Sequence, residues 1–223
     1  MHDVFVSYRH SDSAAARLLV AALQDRGLTI WFDESSIGDF GSITAAATDG
    51  LAQSKALVVY YSEQYPLSAP CQWELTEGFL AAMRLGDPRD RVLVVNPERG
   101  PAHIEPVELR DALYGALTPP DLPELDSVAE RIASHVGRID GVLGKGNTTV
   151  RWLPSQPARA TRFAGRFQQM WEVHSGLHLR EHAMTEGAVG PAALQIMGLG
   201  GVGKSLLARE YALRFQAAYP GGV

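Results

Sequence analysis

The chain has 223 residues, 46% of them apolar and 20% charged, with a formal net charge of -5; that is room for one full domain and part of another around a sizeable core. The mild acidity gives no electrostatic reason to expect nucleic acid as a partner. Cys71 is the single cysteine, which excludes an intrachain disulfide, and no apolar run approaches the roughly 18 residues that span a bilayer, so a cytoplasmic setting is expected.

Met1-His2-Asp3-Val4 leads directly into a short apolar run, Val4-Phe5-Val6, rather than into a signal peptide. Ser13 to Arg26 follows with Leu18, Leu19, Ala22 and Leu23 at helical spacing, and Gly27 is a natural stop. Leu28-Thr29-Ile30-Trp31-Phe32 predicts a second strand, Ser42 to Leu51 a second helix, and Ala56 to Tyr61 a third strand. Gln72 to Met83 then reads as a helix and Arg91 to Val95 as a strand, while the prolines between Asn96 and Pro106 mark an irregular connection. Tyr114 to Leu117 predicts a short last strand, and Ser127 to Ile139 a closing amphipathic helix with Val128, Ile132, Val136 and Ile139. Short apolar strands alternating with helices predict an α/β domain over residues 1–140, with a central parallel sheet covered on both faces. Residues 141–160 are rich in Gly, Pro, Ser and Thr and read as a linker.

Within residues 161–223, the run Gly198-Leu199-Gly200-Gly201-Val202-Gly203-Lys204-Ser205 is a complete phosphate-binding loop. Its glycines let backbone N–H groups close around phosphates, Lys204 reaches the terminal phosphates and Ser205 can ligate Mg²⁺. Ala192 to Met197 predicts the preceding strand and Leu206 to Ala212 the following helix, whose N-terminus would face the phosphates. The same residues also satisfy G-x-G-x-x-G, a dinucleotide-binding turn, but Lys204-Ser205 favours the phosphate loop because a dinucleotide turn has no use for either side chain. So near the last residue, Val223, the loop is expected to open a nucleotide-binding domain that continues past this sequence.

Ligands of an open parallel sheet bind beyond the carboxyl ends of its strands, here the loops after Tyr8, Phe32 and Tyr61. The first supplies Arg9, His10, Ser11 and Asp12, the second Asp33 to Gly41, and the third leads through Tyr65 and Ser68 to Cys71, Trp73 and Glu74. Asp3-Val4-Phe5-Val6-Ser7-Tyr8-Arg9 resembles the first box of a Toll/interleukin-1 receptor (TIR) domain. Trp31-Phe32-Asp33, with Gly38 and Phe40 after it, is similar to that family's second strand and BB loop, and Ser68-Ala69-Pro70-Cys71-Gln72-Trp73-Glu74-Leu75 is similar to its Ser-x-Trp-Cys-x-x-Glu-Leu segment. The resemblance implies a flavodoxin-like fold over residues 1–140, and either cleavage of the nicotinamide–ribose bond of NAD⁺, with a linear or cyclic product, or a purely assembling role in signalling.

Cleavage in this family depends on a glutamate at the position that Glu74 matches. One carboxylate suffices, because nicotinamide leaves from a pyridinium that already carries positive charge, and the ribose develops oxocarbenium character that a nearby anion stabilises. The resemblance places Arg9, Trp31, Asp33, Phe40, Ser68 and Trp73 around the substrate, with Arg9 toward a phosphate or the adenine and Phe40 and Trp31 stacking on rings. Pro70 stands where the family often has tryptophan, and Glu77, one turn beyond Glu74, is the alternative carboxylate if the register slips by three.

Other chemistries fit less well. A phosphoacceptor receiver domain wants an acidic pair after the first strand and an aspartate ending the third, where Arg9-His10 and Ser62 stand. His174, His178 and His182 recur at intervals of four, but Gly176 weakens that helix and no further ligand completes a zinc set, so a solvated helix face is expected. Cys71 reads as a small buried side chain.

Phe163-Ala164-Gly165-Arg166 before a helix, then a strand and the phosphate loop, resembles the start of an NB-ARC-type STAND NTPase domain. This implies ATP/ADP with Mg²⁺ at Gly198, Gly200, Gly201, Val202, Gly203, Lys204 and Ser205, with Ser205 on the metal. It also implies a homo-oligomer formed through TIR–TIR and NTPase contacts, in which nucleotide exchange controls an antiphage or death-like effector.

Overall fold

A computed structural model describes the backbone of residues 1–32, 40–110, 113–116, 122–144, 166–178, 194–216 and 219, with side chains outside the described set at 40–45, 113–116, 122–123 and 178. Five strands form one sheet: β1 (His2–Tyr8), β2 (Ile30–Trp31), β3 (Ser54–Tyr60), β4 (Val92–Asn96) and β5 (Leu113–Ala116). Their order is β2-β1-β3-β4-β5, and every pairing is parallel. The alternating pattern predicts such a covered parallel sheet, and its strand order is the flavodoxin-like one that the family resemblance implies.

Side chains of a strand alternate between faces, so each strand feeds two cores. Val4 and Val6 of β1, Ala56, Val58 and Tyr60 of β3, and Leu93 and Val95 of β4 face one layer, made by helices α1 (Ser13–Gln24) and α4 (Leu122–Val136). Phe5, Leu57, Val59, Val92 and Val94 face the other, made by α2 (Phe40–Ala52) and α3 (Ala69–Met83). With both faces covered, the central strands read as continuous apolar runs rather than as alternating ones.

Three boundaries differ from the sequence reading for identifiable reasons. The second strand shrinks to Ile30–Trp31, because on this edge β2 pairs only with Val4 and Phe5 of β1. Helix α3 begins at Ala69 rather than Gln72, since Pro70 occupies the first turn, where a missing N–H costs nothing, and Ser68 caps the end by accepting from the Cys71 N–H at 3.5 Å. Helix α4 begins at Leu122 with Pro123 likewise in its first turn.

The layers approach closely where glycine sits on a helix. Trp31 stacks flat on Phe5, centroids 4.3 Å apart at 8°, and Gly50 of α2 lies against its indole, so that a Cβ there would stand 2.4 Å from Trp31 Nε1. Gly50→Ala should therefore push Trp31 off Phe5 and destabilise the fold by about 1–3 kcal/mol, outweighing alanine's gain in helix propensity. Equilibrium denaturation checks this, and an alanine variant as stable as the parent would contradict the packing.

Two more helices, α5 (Phe167–His178) and α6 (Lys204–Arg214), join the α3 side. Trp171 of α5 is 1% exposed and meets Phe79 of α3 edge-on at 5.3 Å, with Phe215, just after α6, edge-on at 5.1 Å. The chain after α4 also stays attached to the sheet domain through Gly144, as the Leu143 and Gly144 N–H groups donate to the Ser54 and Ala52 carbonyls.

Candidate functional site

A parallel sheet whose strand order reverses opens a crevice where the two halves part, here beyond the carboxyl ends of β1 and β3. Ser7 is two residues past Phe5 and shares its face, so its hydroxyl points toward α3. Glu74, on the second turn of α3, meets it there: Ser7 Oγ lies 2.5 Å from Glu74 Oε2. Behind Ser7, at 2.7 Å, is the hydroxyl of Tyr65, from the turn after β3, which donates in its other contact to the Cys71 carbonyl at 3.0 Å. Ser7 and Tyr65 are 1% and 0% exposed, whereas Glu74 is partly open to solvent.

Cys71 is buried, and its thiol points at the Tyr8 carbonyl, 3.3 Å away. Burial pushes that thiol up to about 12, so it stays protonated at neutral pH and supplies no nucleophile. Burial likewise raises the Tyr65 phenol well above its ordinary value. At neutral pH the crevice floor thus holds hydroxyls, a thiol and one carboxyl.

Arg9 sits at the rim just after β1, its Nη1 held by the Gln64 carbonyl at 2.6 Å and by Gln64 Oε1 at 3.0 Å, which fixes a cation beside the crevice mouth. Trp31 is committed on one ring face to Phe5, and its neighbour Phe32 stacks on Tyr8 at 4.9 Å. Ser68 caps α3, and Trp73 packs half-buried against the core beside Glu74. Glu77 is one turn further along α3 and takes no part in the Ser7–Tyr65 contacts. Asp33 lies outside the described residues, as does the side chain of Phe40.

Sequence reading gave no site role to Ser7 or Gln64 and named Tyr65 only as a residue of the loop after the third strand. The signal for Ser7 was present: a polar residue in phase with Phe5 on a strand otherwise apolar on that face. Tyr65 and Gln64 had none, because their part is set by the turn geometry after β3.

The phosphate-type loop is described from Leu194 onward. Gly198, Gly201 and Gly203 adopt φ of 148°, 79° and 82°, values that glycine accommodates, and Gly203 caps α6. Lys204 Nζ bridges the Gly198 and Leu199 carbonyls at 2.8 and 2.7 Å. Residues 194–197 form no strand, a correction to the predicted Ala192–Met197 element: among the described residues no neighbour pairs with this stretch, and a strand exists only through pairing.

The expected solvated histidine face is corrected at His174, while the side chain of His178 lies outside the described set. His174 is 1% exposed, between Glu108 at 3.1 Å from Nε2 and the Tyr211 hydroxyl at 3.0 Å from Nδ1, so α5 turns this residue into the core because Trp171 and α6 cover it. His182 lies outside the described residues, and none of the described residues form a metal-binding cluster. No described helix is long and apolar enough to cross a membrane.

No curated protein matches the chain. Among solved structures it is similar to a metazoan TIR-STING receptor from C. gigas, at 16% identity and TM-score 0.43, covering 63% of this chain and 42% of that one. It is also similar to the activated Roq1 resistosome directly recognising the pathogen effector XopQ (TIR domains), at 20% identity and TM-score 0.38, covering 62% of this chain and 85% of that one. The family model for the TIR domain matches residues 4–131, more than half of the chain and all of the sheet except the first two residues of β1. The chain belongs to the TIR domain family.

Proposed function

We propose that the TIR domain of this chain cleaves the nicotinamide–ribose bond of NAD⁺, with Glu74 as the carboxylate that stabilises the oxocarbenium-like ribose. The observation that carries the reading is the position of Glu74, on the family's glutamate segment and in contact with Ser7 at the switch point of the sheet. Substrate would enter over Arg9, whose tethered cation suits a phosphate, with Trp31, Asp33, Phe40, Ser68 and Trp73 around the base and ribose. No general acid is required, since nicotinamide departs neutral from a cationic ring; water or an internal nucleophile then attacks C1′.

The test is nicotinamide release from NAD⁺ by the purified chain at high concentration and under forced assembly. Release that rises more steeply than protein concentration supports an enzyme completed by a homo-oligomer. No release under either condition would favour the alternative, a non-catalytic module for TIR–TIR assembly in signal transduction.

For the C-terminal segment the same proposal reads a nucleotide switch of NB-ARC type, in cytoplasmic surroundings. The reading is supported by the positive-φ glycines of the loop, by the N-terminus of α6 that follows it, and by the Lys204 ammonium lying against the Gly198 and Leu199 carbonyls. Ser205, exposed on the first turn, would take Mg²⁺, and the bound nucleotide would supply the charge that orders the loop. Lys204→Ala should weaken ATP binding by about 10- to 100-fold, the loss of one charge-assisted contact, with unchanged helix content. Titration calorimetry reads the difference, and equal affinities would remove Lys204 from the site.

A further inference from the structure

Three contacts link four groups beneath the crevice: Glu74 to Ser7, Ser7 to Tyr65, and Tyr65 to the Cys71 carbonyl. Each oxygen–oxygen contact that is a hydrogen bond needs one proton. The two hydroxyls own one apiece, and the Cys71 carbonyl owns none. With Glu74 ionised, two protons must serve three contacts, and one pair of oxygens is left facing lone pair to lone pair. Water is not at hand to repair this, since Ser7 and Tyr65 are 1% and 0% exposed.

One arrangement satisfies all three. Glu74 Oε2–H donates to Ser7 Oγ, the Ser7 hydroxyl donates to the Tyr65 oxygen, and the Tyr65 hydroxyl donates to the Cys71 carbonyl. We propose that Ser7 and Tyr65 are positioning residues that hold Glu74 as a neutral carboxylic acid in the resting protein, so that the site is armed only when this proton leaves. The Oε2–H bond breaks and its proton passes to water at the solvent-exposed edge of the side chain, leaving the carboxylate. The Ser7 hydroxyl then swings round to donate to Oε2, and its bond to Tyr65 is given up. The acid cannot stabilise an oxocarbenium ion and the carboxylate can, so this relay deepens the NAD⁺-cleavage reading and rests on it for its functional meaning.

Other groups around the carboxyl act in known directions. Arg9, just after β1, is the nearby cation at the rim and is tied to Gln64. Tyr65, backed by Tyr61 just after β3, and Cys71 on α3 itself are all shifted upward by burial and stay neutral. Glu77 on the next turn of α3 disfavours a second negative charge nearby. From α2, Asp49 is the acid among the described side chains and is exposed, and His174 of α5 is engaged with Glu108 and Tyr211.

The experiment is a carboxyl ¹³C NMR titration of the glutamate-labelled chain, with Glu74 assigned by Glu74→Gln. In the parent, Glu74 is expected to titrate above the ordinary glutamate value of about 4.3. Tyr65→Phe removes one contact and one proton, leaving Ser7 free to donate to a carboxylate, and should lower the Glu74 midpoint by about one to two pH units. Ser7→Ala should lower it too, whereas Ser7→Thr keeps a hydroxyl and should restore it. A purely structural Tyr65 would change stability and leave the midpoint in place.

The rate of nicotinamide release should rise with pH through the same midpoint, so Tyr65→Phe should be faster than the parent below it. An ordinary Glu74 midpoint in the parent, or one unmoved in Tyr65→Phe and Ser7→Ala, overturns the relay. If the phenylalanine variant does not fold, the Ser7→Ala and Ser7→Thr pair decides. The titration needs no substrate, so absence of NAD⁺ cleavage with a relay-dependent midpoint would remove the activity alone, and Glu74-dependent cleavage with an ordinary midpoint would remove the relay alone.

Discussion

Replacing Glu74 by glutamine should lower the rate of nicotinamide release by roughly 10²–10³-fold, the scale of losing one preorganised group that stabilises charge developing in a transition state. Glutamine keeps the shape of the side chain and an oxygen for Ser7, so the fold and the α3 cap should survive, which circular dichroism can confirm. The loss should fall on kcat with little change in KM, because an anion matched to the oxocarbenium acts in the transition state and not on bound NAD⁺. Glu77→Gln is the internal control. Glu77 is one turn away from the Ser7 contact, and its replacement should leave the rate near that of the parent. Equal losses in both variants would mean that the crevice needs negative charge in general rather than a carboxylate at Ser7. Loss in Glu77→Gln alone would move the catalytic role by three residues.

The sheet was legible because each strand is buried on both faces. Apolar runs such as Ala56 to Tyr61 then carry the signal on every residue, and helices separated by stops such as Gly27 fill the intervals. Glu74 was legible only through the motif around it, since a glutamate early in a helix is ordinarily a solvated residue. What the sequence could not display is tertiary register. That Ser7 lies over Glu74 follows from β1 and β3 pairing as Ser7 with Val59 and Tyr8 with Tyr60, which sets the height of the crevice floor. The C-terminal segment misled in the opposite direction. Helical spacing of histidines says which residues share a face but not whether another helix covers that face, and α6 does cover His174.

That cover is the basis of a second large effect. Trp171→Ala should destabilise the docking of α5 and α6 on α3 by about 3–5 kcal/mol, the usual cost of removing a fully buried aromatic side chain. The indole contributes two separable parts. Its ring fills the space between Phe79 and Phe215, and its Nε1–H donates to Gln72 Oε1 at 2.9 Å, next to Cys71 on the turn of α3 that leads to Glu74. Trp171→Phe keeps most of the ring and loses the donor, leaving the buried Gln72 oxygen unpaired, so it should cost about 1–3 kcal/mol. The sheet should tolerate both changes, because β1, β3 and β4 pair with one another and are sealed on the opposite face by α1 and α4. Hydrogen exchange would then show α5 and α6 losing protection while these strands keep theirs. With the helix pair undocked, His174 keeps Tyr211 within the pair but loses Glu108, so the segment bearing Lys204 and Ser205 separates from the layer that carries Glu74. Unchanged protection of α5 in Trp171→Ala would show that this helix pair is held by something other than the indole.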